Sequence, residues 1–158
     1  MSKPLLTTVA VACALALPAA AHSRQITLST TLNNYGGDGA YLAVYLTDAK
    51  GAYASTLWVA GGKAKYYKHL ADWNRLSAGD SKRLDGVTGA SVGAGRTLKV
   101  TAELADALID AGYEIRVDAA VENMRDSPSE VRAPLTSANA GKPQPGKQYI
   151  QALTFQLQ

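Results

Sequence analysis

The sequence predicts an all-β fold, an antiparallel β-sandwich of seven or eight strands with one short inserted helix. Three observations carry this. Apolar residues recur at every second position in one segment after another, the pattern of a sheet with one buried face. Clusters of Gly and Asp separate those segments. The length of 158 residues suits one ordinary domain and is short for two. With 47% hydrophobic and 18% charged residues, the composition is globular and excludes a disordered or fibrous chain.

Residues 1–21 read as a secretory signal. Lys3 gives a positive start, residues 5–17 form an uncharged apolar run, and Pro18 breaks it. Ala19-Ala20-Ala21 then supplies the small-residue cleavage pattern, with cleavage expected after Ala21. The run is too short to span a bilayer, and no other segment is apolar enough to be membrane-embedded. Cys13, the only cysteine, leaves with the signal, which suits an oxidising compartment. The expected localisation is therefore periplasmic, with residues 22–158 as one β-sandwich domain. Loss of Lys3 removes one charge from a net of +3. No basic stripe remains of the kind a nucleic-acid binder shows.

The strands come in order along the chain. Ile26, Leu28, Thr30 and Leu32 alternate with Thr27, Ser29 and Thr31. A turn at 36–39 leads to Leu42, Val44 and Leu46, set against Tyr41, Ala43 and Tyr45. A turn at 48–51 precedes a third strand over 53–59, which ends at Gly61-Gly62. The helix falls over 65–76, where Tyr66, Leu70, Trp73 and Leu76 share one face. Leu98 and Val100 mark another strand. Residues 103–111 have helical spacing through Leu104, Ala107, Leu108 and Ala111, with Gly112 as the cap. Tyr113, Ile115, Val117, Ala119 and Val121 give the clearest alternation. A weaker strand lies at 130–135, a loop at 139–147, and Leu153, Phe155 and Leu157 close the chain.

One local motif carries chemistry: Asp85-Gly86-Val87-Thr88-Gly89-Ala90-Ser91. It fits Asp-x-x-Ser/Thr-Gly-Ala-Ser/Thr, which arises by chance in roughly one chain in a thousand of this length, and a few times more often in an Ala- and Gly-rich one. The pattern resembles the site at which the periplasmic FAD:protein FMN transferase esterifies FMN phosphate to the last hydroxyl. The resemblance makes Ser91 the acceptor and Asp85, Thr88, Gly89 and Ala90 the recognition residues, with Ser where Thr is usual. Physically, a phosphoester needs an exposed hydroxyl on a loop that enters a second enzyme. Gly89 permits close backbone approach and Ala90 adds no bulk. The alternative is a structural Gly-rich connection whose Asp85 and Thr88 bond their own backbone.

A wider resemblance surrounds the motif. Residues 41–48, 56–59 and 62–66, with Leu70, Trp73 and 85–90, run in the order of the predicted periplasmic family called domain of unknown function 2271. The resemblance implies an Ig-like sandwich, similar to the flagellar hook-capping Ig-like domain. It also implies a place beside PepSY-type membrane proteins and the FMN transferase. The family's Gly- and Pro-rich hairpin after the motif is here replaced by 103–111. Together the two resemblances imply an accessory protein of a flavin-based electron-transfer system, with a non-catalytic binding or scaffold module as the alternative.

Other constellations are weak. Lys63, Lys65, Lys68, Arg75, Lys82 and Arg83 gather near the motif and read as a solvated face, though a phosphate would be drawn to them. Trp58 and Trp73 read as core anchors rather than platforms for a flavin ring. After cleavage, His22 would bring a terminal amine and an imidazole together, a copper(II)-chelating pair that still needs His69 as a second imidazole. His69 itself reads as a surface or packing residue. Two His and one Cys build no metal cluster, and no nucleophile elbow or P-loop appears, so independent catalysis is not expected.

Overall fold

The computed structural model describes residues 21–79 and 84–158. The proposed signal therefore lies outside the described residues, apart from Ala21, and so do Lys82 and Arg83. Among the described residues the strands form two sheets packed face to face. β1 (Ser23–Leu32), β5 (Thr97–Ala105), β8 (Gln144–Pro145) and β9 (Ile150–Leu157) make the first, in the order β5-β1-β9-β8. β2 (Tyr41–Thr47), β3 (Tyr53–Ala60), β4 (Thr88–Gly89), β6 (Glu114–Ala120) and β7 (Ser127–Pro134) make the second, in the order β4-β3-β2-β6-β7. Every pairing is antiparallel except β3 with β4. The all-β sandwich read from the alternation is the observed fold.

In β1 that alternation works as read. Ile26, Leu28, Thr30 and Leu32 are buried, and the first two meet Val44, Ile115 and Phe155 in the core between the sheets. On the other face Thr27 and Thr31 reach Thr101 and Thr97 of β5 at 3.3 and 3.0 Å. Burying each large apolar side chain in this core contributes about 1.5–3 kcal/mol.

β2 departs from the pattern. Leu42, Val44 and Leu46 enter the sandwich, but Ala43 and Tyr45 on the opposite face are also fully buried. They pack against Tyr67, Leu70, Trp73 and Leu84, a second core laid over the outside of the five-stranded sheet. The segment expected as one helix over 65–76 forms this cover in two pieces. A 3-10 helix runs over Ala64–His69 and an α-helix, α1, over Ala71–Leu76, with Leu70 between them at ψ 72°. The first piece has a three-residue period, so Tyr67, Leu70 and Trp73 line up toward the sheet. Tyr66, placed on the buried face by a purely α-helical count, is turned aside.

The second departure is at 103–111. β5 continues through Ala105 because Glu103, Leu104 and Ala105 pair with Gln25, Arg24 and Ser23 of β1. Only Asp106–Leu108 forms a single 3-10 turn. A long-range ladder outweighs a local helical spacing that is too short to be stable alone. Gly112 takes a left-handed φ of +85°, as its turn position requires, and a side chain there would collide with Ala49.

The cover is pinned by one buried carboxylate. Asp118 stands at the bulge where the β6–β7 register shifts between Val117 and Ala119. One of its oxygens accepts from the Tyr45 hydroxyl at 3.0 Å and the Ser129 N–H at 2.8 Å, and the other accepts from the Trp73 N–H at 2.7 Å. These bonds join β2, β7 and α1 to β6. Burial pushes the carboxyl above its ordinary value even against the three donors. The Tyr45 hydroxyl is also pushed up, first by burial and then by the Asp118 charge.

Candidate functional site

The motif is held at both ends and open in the middle. Leu84 is buried, and Asp85-Gly86 make a turn in which the Val87 N–H donates to the Leu84 carbonyl at 3.1 Å. Gly86 takes φ +75° there. Thr88 and Gly89 then add to the edge of β3, beside Val59 and Ala60. Flanking bonds extend the pairing: Val59 N–H to Val87 O at 2.8 Å and Gly61 N–H to Gly89 O at 2.7 Å. Gly89 lies on the Trp58 ring, where a Cβ would come within 2.7 Å of Cζ2, so only glycine allows this approach. Beyond the motif, Val92 and Ala40 exchange backbone bonds of 2.9 and 2.7 Å.

Between these anchors Ala90 and Ser91 are exposed. Asp85 and Thr88 are exposed as well, and Gly89 is half-buried. Gly39 faces Ser91: a Cβ at that position would sit 2.8 Å from Ser91 Oγ. The missing side chain keeps the surroundings of the hydroxyl open.

Ser91 stands on the rim of a cleft of about 630 Å³, within the size range of small-molecule sites. Tyr41 and Tyr66 meet edge to face in it, with ring centroids 5.8 Å apart and an interplanar angle of 88°. The Tyr41 hydroxyl accepts the Lys63 N–H at 3.1 Å, fixing the chain that carries Lys63 into the cleft. Lys65 holds its ammonium 5.0 Å from the centre of the Tyr66 ring. Opposite lies the turn after β6. Asn123 takes φ +60° and the Met124 N–H donates to Val121 O at 3.1 Å. Met124 is thereby projected outward, 37% accessible, the one exposed large hydrophobic residue among the described residues. His69 enters from the 3-10 helix with Nδ1 3.0 Å from Asp126 Oδ2.

A family model of predicted periplasmic proteins, DUF2271, matches residues 23–152. The chain belongs to this family. The match covers the motif, the cleft and both sheets up to the start of β9 of this DUF2271 domain. No curated protein and no solved structure matches the chain. Among the described residues no helix is long and apolar enough to cross a membrane, and no group of three or more metal-ligating side chains occurs.

The remaining expected residues are scattered. Trp73 is a core anchor at 1% exposure, and its indole N–H donates to Thr56 Oγ1 at 2.9 Å. Trp58 is half-buried under the motif, and among the described residues its buried indole N–H has no partner. Arg75 pairs with Asp72 at 3.0 Å, on α1. His22 is exposed beside β5, where its carbonyl accepts the Asp106 N–H at 2.9 Å. Met124 and Asp126 carried no signal in the sequence, since both sit in an irregular turn between strands.

An exposed serine whose hydroxyl faces a residue without a side chain, beside a cleft, suits a covalently attached, flat ligand. FMN meets those terms: its phosphate requires a reachable alcohol and its ring requires an aromatic-lined space.

Proposed function

We propose that this protein carries FMN, esterified through its phosphate to Ser91, as an accessory component of a periplasmic electron-transfer system. The observation that carries the proposal is the placement of Ser91, exposed between two backbone anchors at the rim of a cleft. The signal over residues 1–21 directs export and is cleaved after Ala21. In the attachment step the Ser91 oxygen attacks the flavin-side phosphorus of FAD. The pyrophosphate bond breaks, AMP departs with its electron pair, and the hydroxyl proton passes to a base on the transferase. Asp85, Thr88, Gly89 and Ala90 present the backbone and side chains that the transferase reads. The edge pairing of Thr88 and Gly89 to β3 holds the middle of the motif extended. Bound FMN supplies one- and two-electron transfer, with a PepSY-type membrane protein as the partner in exchange.

The protein is co-expressed with the FAD:protein FMN transferase and digested. The peptide containing Ser91 is expected to carry the FMN mass increment, and Ser91→Ala is expected to remove both the increment and the yellow colour. A colourless protein with an unmodified Ser91 peptide overturns the proposal and leaves a non-catalytic binding or scaffold module.

A further inference from the structure

Three side chains of the cleft belong to neither core. Met124 is a large apolar side chain left exposed where the turn at 121–124 projects it. Scattered exposed apolar residues are ordinary, but this one lines a cavity. Tyr66 is turned away from the second core by the change from 3-10 to α-helix and lies half-buried in the cleft instead. His69 is exposed but oriented: Asp126 holds Nδ1 at 3.0 Å, and among the described residues Nε2 has no partner. Lys63 adds a cation to the same space.

Together these groups describe a ligand. Tyr66 and the thioether of Met124 offer a soft, apolar contact for a flat ring. His69 and Lys63 offer donors to carbonyl oxygens or to negative charge on the edge of that ring. Ser91 at the rim fixes where a tether would begin.

We infer that the cleft is the resting seat of the flavin ring, which lies against Tyr66 and Met124 with its polar edge toward His69. The inference rests on FMN being carried at Ser91. It adds that the ring is docked rather than swinging freely on its ribityl chain. Asp126 is then a positioning residue, acting through the orientation of His69. Docking limits contact between the ring and water, and it gives an electron-transfer partner one defined face to approach.

The test uses the full protein, loaded by co-expression with the transferase. Mass analysis of the Ser91 peptide is read first, since it reports attachment alone. Fluorescence lifetime and quenching by iodide are then compared with free FMN. A docked ring beside Tyr66 is expected to show a lifetime several-fold shorter and a reduced iodide slope. Tyr66→Leu is expected to lengthen the lifetime without changing the mass increment. Met124→Ser is expected to raise iodide access. His69→Ala is expected to shift the visible absorption bands. Met124 and His69 are exposed, so their variants report even if Tyr66→Leu folds poorly. An increment on Ser91 with emission like free FMN, or with spectra indifferent to all three substitutions, overturns the seat and leaves the carrier standing. No increment on Ser91 overturns the carrier and the seat with it.

Discussion

Two polar clusters touch the segment that covers the five-stranded sheet, and they differ in what their atoms have left to offer. Around Asp118, at the α1 end, a carboxylate, a tyrosine, a serine and a tryptophan backbone are sealed together, and both carboxylate oxygens accept bonds. Around Ser91, near the 3-10 end, a serine, two tyrosines, a histidine and carboxylates stand open to a cleft. Similar residue types do opposite work. The first cluster commits its hydrogen-bonding capacity to the fold. Among the described residues, the second leaves the hydroxyl of an exposed serine and an imidazole nitrogen without a partner. Unused capacity at a well-anchored position marks a site better than residue type does.

Substitutions in the closed cluster should therefore cost stability and spare the open one. Asp118→Ala leaves three buried donors without an acceptor and is expected to cost about 3 kcal/mol or more. A denaturant midpoint that falls with an unchanged m-value would show it. The folded fraction should still be modified at Ser91. Tyr45→Phe removes one donor from the same carboxylate and is expected to cost about 1 kcal/mol. Tyr45→Phe keeps the ring, so a cost equal to that of Asp118→Ala would mean that this one hydrogen bond carries the cluster and the two backbone donors add little.

The two acidic residues near α1 respond to pH in opposite directions. Burial raises Asp72, but hydrogen bonds from Ser129 and Arg75 outweigh it and hold the carboxyl below its ordinary 3.8. A depressed carboxyl stabilises the fold above its unfolded value, and that contribution is lost as pH falls through the native value. The gap in stability between wild type and Asp72→Asn is expected to be about 1 kcal/mol at neutral pH and to close below pH 3.8. Asp118 has a raised value, so its protonated form favours the fold, and its contribution shrinks as pH rises above 3.8. A gap for Asp72→Asn that stays constant from neutral to acid pH would place its effect outside ionisation.

The sandwich was legible because period two marks a half-buried sheet, and β1 obeys it from Ile26 to Leu32. The closed cluster was not. Asp118 falls at a polar position of an alternating strand, which reads as solvent-facing. It is buried because a segment distant in sequence covers that face. The apolar stripe at 67, 70 and 73 was the available signal, since it must bury itself against some surface, and Ala43 and Tyr45 are its partners. In the open cluster, the motif could be read because its residues are close together in the chain. The cleft beside it could not, because Tyr66 depends on a local change of helix type. Asp126 and Met124 depend on a turn whose direction no periodicity encodes.

The smallest expected effect on stability belongs to the open cluster and separates access from fold. Gly39 has no left-handed φ, so alanine is tolerated by its backbone, yet the added Cβ would sit 2.8 Å from Ser91 Oγ and 3.3 Å from Ser91 Cβ. Ser91 is exposed and can turn to another staggered rotamer. Gly39→Ala should therefore change stability by no more than about 0.5 kcal/mol. The turn redirects the hydroxyl, and FMN incorporation, read as flavin absorbance per protein, is expected to fall. Ser91→Thr keeps a hydroxyl at the same place and is expected to remain modified. Gly39→Ala incorporating FMN at the wild-type level, with an unchanged melting temperature, would show that the space beside Gly39 is not the one through which the acceptor is reached.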